Sequence, residues 1–167
     1  EAATGAEVAD AASLADEGQA TEILAFASRE GDWMPSGRVG TLSSFDIATI
    51  TDLAVDDSGR LWALDVGSNR ILRYEESTGW TEWGSDSRWG FPHGMTIRST
   101  DDGDELWIAG IDSQQLWVYP IDDPSAEPRR VGRYGREEGA FRFPRDVAVL
   151  PGRDDADDRI VVALRRS

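Results

Sequence analysis

Three stretches of this chain align with one another, and no other feature restricts the fold as tightly as that repeat. They are TITDLAVDDSGRLWALD from Thr49, FPHGMTIRSTDDGDELWIAG from Phe91 and FPRDVAVLPGRDDADDRIVVAL from Phe143. Each opens with a short alternating run and passes through a turn rich in Asp and Gly. Each then enters a second apolar run, RLWAL, ELWIA or RIVVA. In the first two a third run follows, NRILRY and QQLWVY. Val55 and Ile97 are 42 residues apart, and Ile97 and Val149 are 52 apart. The difference divides between a longer turn and a longer outer connection, where insertions are tolerated.

Alternation with period two, as in Asp52-Leu53-Ala54-Val55, is the pattern of a strand, and Asp56-Asp57-Ser58-Gly59 is a hairpin turn signal. Several short strands recurring every ~40–50 residues predict the blades of a β-propeller. Trp62 and Trp107 hold equivalent positions in the second strand and are expected to fill the wedge between neighbouring blades. Upstream, EILAFASREGDWMPSGRVG reads as the third and fourth strands of a preceding blade. The expected fold is therefore all-β, a partial β-propeller of about three four-stranded blades over residues 21–167, with repeat starts near 49, 91 and 143. Residues 1–20 are Ala-rich and acidic and lack both a basic n-region and an apolar h-region. They are expected to form a flexible or weakly helical lead-in.

Composition narrows the function classes. A net charge of −15 repels a polyanion, which argues against nucleic acid and anionic membrane as partners. No apolar run approaches the ~20 residues of a membrane helix. All 17 basic residues are Arg, and Asn69 is the only Asn. A GC-rich genome and an acidic surface suited to high salt both account for that usage. The absence of Cys removes disulfides, thiol catalysis and Cys-based metal sites.

The segment LAVDDSGRLWALDVGSNRILRY resembles the NHL repeat, in which an apolar strand, Asp-x-x-Gly, a strand ending in Asp and Asn-Arg-Ile follow in order. GRYGREEGAFRFPRDVAV is similar to the connector of that family. The resemblance covers about residues 21–167. The second unit departs from it, with Gly110 at the place of Asp65 and Gln114-Gln115 at the place of Asn69-Arg70. Propellers of the family usually close with six blades. The resemblance therefore implies a fragment of a longer chain, a half-ring completed by a second copy as a homodimer, or an open arc. It also implies an extracellular or periplasmic location.

In a propeller the first strand of each blade lines the central channel, so the aligned channel-mouth residues are Thr51 and Asp52, His93 and Gly94, and Arg145 and Asp146. His93 is the only His in the chain. FPHGMTI followed by LWIAG also resembles the peptidylglycine amidating lyases. That resemblance implies a zinc ligand at His93 and a catalytic candidate at Arg145. One His does not make a zinc site, which typically needs three protein ligands. Missing blades or a second copy would have to complete it. Zinc or calcium is the cofactor this alternative implies, as a metal-dependent lyase or hydrolase. The leading expectation is a binding or scaffold module that presents loops and a channel mouth to a protein, a glycan or a small ligand.

Other features read as structural. STDDGDE over 99–105 lacks calcium-loop spacing and is expected to be a hairpin turn. GRDDADDR over 152–159 is expected to be a solvated loop. Asp65 is expected to cap the turn that follows it. Gly132-Arg133-Tyr134-Gly135-Arg136 has no Gly-Lys-Ser/Thr ending and is no phosphate loop. A single His without a nucleophile elbow gives no support to Ser-His-Asp catalysis. Trp80, Trp83 and Trp89 are expected to pack between blades, with sugar stacking as the alternative. Arg129, Arg130, Arg133 and Arg136 offer an anion a foothold.

Overall fold

Every alternating run becomes a strand, and the turns fall at the Asp- and Gly-rich segments. The computed structural model describes residues 48–165 in full and, before them, the backbone of β1 (Leu24–Arg29) and β2 (Asp32–Arg38). The lead-in expected over 1–20 lies outside the described residues. The chain divides into two units, Glu1–Ile47 and Ala48–Ser167. In the first, β1 and β2 form an antiparallel hairpin. In the second, β3 (Ile50–Val55), β4 (Leu61–Asp65), β5 (Arg70–Glu75) and β6 (Gly79–Ser85) form one four-stranded antiparallel meander. A second comprises β7 (Pro92–Arg98), β8 (Glu105–Gly110), β9 (Gln115–Pro120) and β10 (Arg129–Val131). A third sheet has two strands, β11 (Pro144–Leu150) and β12 (Arg159–Leu164). The first strands lie side by side, β7 between β3 and β11. The second unit is thus an all-β partial propeller of two whole blades and the inner half of a third.

The turns explain themselves locally. Asp56 is buried, yet its carboxylate accepts from the backbone N–H of Ser58 and Arg60, from Arg60 Nε and from Trp62 Nε1, at 2.6–3.0 Å. Gly59 supplies the left-handed backbone, φ 78°, that closes this hairpin. Each β4–β5 and β8–β9 loop has four residues and ends on a left-handed residue, Asn69 at φ 55° and Gln114 at φ 59°. Gln114 therefore does the backbone work of Asn69. Its side chain supports the unfavourable φ by donating to Ile111 O at 2.6 Å and accepting from Phe143 N at 2.7 Å. The 99–105 segment is a hairpin turn, as expected, with Gly103 N donating to Thr100 O at 3.0 Å.

The second blade is buried on both faces, so consecutive residues of one of its strands enter different cores. In β8, Leu106 and Ile108 face the first blade, whereas Trp107 and Ala109 face the third. In β9, Trp117 and Tyr119 face the first, and Leu116 and Val118 the third. Trp62 and Trp107 each fill the junction to the following blade. Trp83 occupies a bulge in β6, between the pairs Ile71↔Gly84 and Leu72↔Glu82. It stands edge-on to Trp62 and to Tyr119, centroids 5.9 and 5.7 Å away, and its indole N–H donates to Ile121 O at 2.6 Å. Trp89 closes the row, donating to the Tyr119 hydroxyl at 3.0 Å, and that hydroxyl donates to Asp86 at 2.9 Å. Burial and the neighbouring Asp86 carboxylate push the Tyr119 hydroxyl up to about 12. Trp80, Trp83 and Trp89 are all buried, which leaves the indoles to packing.

Two expectations need revision. The 152–159 run is no merely solvated loop. Arg98 of β7 donates to Asp158 at 2.9 Å and to the Asp155 carbonyl at 2.6 Å, and Asp101 N donates to Asp155 at 2.7 Å, so the run latches the second blade to the third. Asp65 does not cap the following turn. It is fully buried, accepting from Thr49 N at 3.0 Å and from Arg70 Nε at 3.1 Å, which ties the first strand to the third. Two of the four clustered arginines are engaged as well, Arg129 with Glu105 at 2.8 Å and Arg133 with Glu137 at 3.2 Å.

Trp83→Ala should cost about 3–5 kcal/mol in urea unfolding, because it removes the side chain shared by two blades, while exposed Glu76→Ala should stay within about 0.5 kcal/mol. Burial alone would raise the carboxyls of Asp56, Asp86 and Glu105. Hydrogen bonds from Trp62 and Arg60, from Arg88 and Tyr119, and from Arg129, Arg98 and Trp107 hold them below their ordinary values. The stability they add is complete above about pH 5 and is lost as pH falls through and below about 4. A Tm–pH series should show that fall, and Asp56→Asn should lower Tm at pH 7 while making the acid limb shallower.

Candidate functional site

Thr51, His93 and Arg145 share one backbone feature. In β3 the pairing with β4 runs Ile50↔Asp65 and then Asp52↔Leu64, leaving Thr51 as an extra residue. In β7 it runs Pro92↔Gly110 and Gly94↔Ala109, leaving out His93. In β11 it runs Pro144↔Leu164 and Asp146↔Ala163, leaving out Arg145. The three aligned positions are thus equivalent β-bulges, a device that bends a strand and re-aims one side chain. A backbone bond braces each of them, from Val66 N to Thr49 O, Ile111 N to Phe91 O and Arg165 N to Phe143 O, at 2.9–3.2 Å. Phe91 and Phe143, each directly before a proline, have φ 53°. That left-handed conformation is costly for an aromatic residue and is held here by the bracing around it.

The next residue in each strand brings the blades together. Asp52 accepts from its own neighbour Leu53 N at 2.8 Å and, across the junction, from Met95 N at 2.7 Å. Asp146 accepts from Val147 N at 2.8 Å. Gly94 lies between them, and β11 presses so closely on it that a Cβ there would meet Asp146 Oδ1 at 2.4 Å and Arg145 O at 2.7 Å. Burial first, and then the Asp146 charge, raise the Asp52 carboxyl, against the two backbone N–H donors and His93, which lower it. The inner strands therefore gather Asp52, Asp146 and His93 within electrostatic reach of one another.

Arg145 is exposed and makes no ion pair among the described residues, and His93 is half-buried. The Thr51 hydroxyl is buried and has no hydrogen-bond partner among the described residues. No group of three His, Asp or Glu side chains among those residues is placed to hold a metal ion. Two surface grooves lie elsewhere. One runs along the outer strands of the second blade by Glu105, Tyr119 and Arg129, and the other lies between Arg98 and the 152–158 loop. The sequence supplied the positions of the bulged residues but not the bulges, nor the bond from Asp52 to Met95, 43 residues further on.

No protein-family model matches the chain, and no curated protein matches it in sequence. Solved structures similar to it include a luciferin-regenerating enzyme, 19% identical with a TM-score of 0.49, over 71% of this chain and 36% of that one. Another is virginiamycin B lyase from Staphylococcus aureus, 12% identical with a TM-score of 0.48, over 87% of this chain and 49% of that one. The chain spans less than half the length of either.

Asp52→Ala should destabilise by about 1–3 kcal/mol, since two backbone donors on different blades lose their acceptor. Asp146→Ala should cost less than half as much, and Gly94→Ala should destabilise by about 1–3 kcal/mol through overpacking. Urea denaturation of the three variants would rank them.

Proposed function

We propose that this chain is an NHL-like propeller module that binds a small polar ligand where its inner strands meet, with His93 and Arg145 as the contacting side chains and Thr51 at the third bulge. The observation that carries the reading is the triple bulge. Three blades share one backbone device at one position, yet they carry a hydroxyl, an imidazole and a guanidinium there. Packing alone would favour like residues at equivalent positions, as it does with Trp62 and Trp107. Unlike residues on a repeated frame suit recognition of a ligand whose parts differ. Asp52 and Asp146 make the surroundings acidic, and Arg145 offers an exposed guanidinium to a carboxylate or hydroxyl group. Glycans and protein loops carry the same groups and fall within this reading.

Thermal-shift screening against mono- and oligosaccharides and small hydroxy acids tests the proposal. A hit at about 100 times its Kd should stabilise the chain by about 2.7 kcal/mol. That gain should shrink at least tenfold in apparent affinity in His93→Ala and Arg145→Ala and persist in Arg136→Ala. A gain that survives both hub variants would overturn the assignment. Stoichiometric zinc in the purified chain, lost in His93→Ala, would replace it with a metal-dependent lyase or hydrolase.

A further inference from the structure

We propose that a one-electron oxidation of the aromatic row between the first two blades comes to rest on Tyr119, whose hydroxyl proton passes to Asp86. The first observation is continuity. Trp62, Trp83, Tyr119 and Trp89 follow one another at centroid separations of 5.9, 5.7 and 6.1 Å. All four rings are buried, so the row lies out of water along its whole length. In a chain without Cys, indole and phenol give up single electrons more readily than the other side chains. Rings in near contact exchange electrons without any bond being made. An electron deficit formed on one ring is therefore shared along the row.

The second observation is where protons can leave. Trp83 donates its indole N–H to Ile121 O at 2.6 Å, and Trp89 donates to the Tyr119 hydroxyl at 3.0 Å. Neither oxygen is basic enough to take the proton, so an oxidised Trp83 or Trp89 keeps it and remains a strong oxidant. Two rings of the row do face a carboxylate. Trp62 donates to Asp56 and Tyr119 donates to Asp86, both at 2.9 Å. A phenol that sheds its proton is oxidised more readily than an indole that does so, which makes Tyr119 the end point. Burial alone would raise the Asp86 carboxyl, but bonds from Arg88 and Tyr119 hold it below the ordinary carboxylate range. Asp86 is therefore ionised at pH 7 and open to the proton.

A one-electron radical oxidant removes an electron from an indole of the row. The indole radical cation takes an electron from Tyr119 and returns to neutral Trp. The Tyr119 O–H bond breaks as its proton moves along the 2.9 Å bond to Asp86. A neutral tyrosyl radical then stands beside a neutral carboxylic acid. A one-electron reductant in solution restores the phenol, with the proton returning from Asp86, whose side chain is 14% exposed. The chain's two other tyrosines lack this arrangement. Tyr74 lies 5.3 Å from Trp80, but its hydroxyl bonds no carboxylate among the described residues. Tyr134 is 63% exposed. The row thus confines oxidation to one reversible site and spares the indoles that hold the first junction together.

Pulse radiolysis of the full chain in azide solution tests this, because the azide radical takes single electrons from indoles. The visible absorption of the indole radical should decay while the near-ultraviolet absorption of a tyrosyl radical rises. The rate should not depend on protein concentration, since the transfer is internal. Tyr119→Phe should cut the tyrosyl rise several-fold and prolong the indole radical, whereas Tyr74→Phe and Tyr134→Phe should leave both unchanged. Asp86→Asn keeps every ring and removes only the base, and it should slow the rise several-fold. Near-ultraviolet circular dichroism checks that each variant keeps the row, and Asp86→Asn decides the matter if Tyr119→Phe does not fold. A rise unchanged in either variant, a rate that scales with protein concentration, or no tyrosyl radical in the unaltered chain would each overturn the proposal. No hub residue takes part, so these outcomes are independent of ligand binding there.

Discussion

The row of edge-on aromatic rings between the first two blades is the contact on which the rest of the second unit depends. Trp62, Trp83, Tyr119 and Trp89 come from β4, β6, β9 and the turn after β6, so the row ties outer strands as well as inner ones. Rings of this size each bury on the order of 150–250 Å², and two flat sheets would not meet closely without them. Polar ends are satisfied within the row. Trp83 donates to a carbonyl, Trp89 to Tyr119, and Tyr119 to Asp86. Once the sheets are held at this distance, β3 and β7 come close enough for Asp52 to reach Met95. The geometry of the hub thus follows from packing further out.

Much of this was legible in the sequence because the repeat fixes the register. Aligning Val55, Ile97 and Val149 was enough to put Trp62 and Trp107 on equivalent positions and to assign all three to junctions or strands correctly. The reading of residues 22–40 as outer strands agrees with the hairpin β1–β2, which copies β5–β6 pair for pair. The three aligned positions that prove to be bulged, Thr51, His93 and Arg145, were also picked out by alignment alone. The bulges were not, because a slip in backbone pairing leaves no mark on residue type, and Thr, His and Arg have nothing in common that would signal one. The role of Asp65 and the latch at Asp155 and Asp158 were missed for a related reason. Both depend on partners, Thr49 and Arg98, that are distant in sequence and have no pattern linking them.

The same repeat that makes the frame regular makes the departures from it informative. Gln114 in the place of Asn69 keeps the loop and adds a bond to Phe143, so a departure from the first repeat strengthens the tie between the second and third blades. Gly94 in the place of Asp52 removes a carboxylate from the middle strand and leaves room for Asp146 to lie against it. The hub therefore holds two carboxylates, not three, and they flank the strand that carries His93. Its electrostatics come from one deviation in the repeat.

The aromatic row also makes the molecule observable. Two indoles 5.9 Å apart and inclined at 73° couple their ultraviolet transitions, so Trp62 and Trp83 should give an exciton pair in circular dichroism. That signal would be lost when β4 and β6 of the first blade come apart, because both indoles belong to that blade. The second junction gives no such exciton pair among the described residues, because Trp107 is the only indole of its apolar cluster there. Unfolding followed by this signal would report on the integrity of the first blade, and its place in the order of unfolding could be read from the difference between that signal and a global probe.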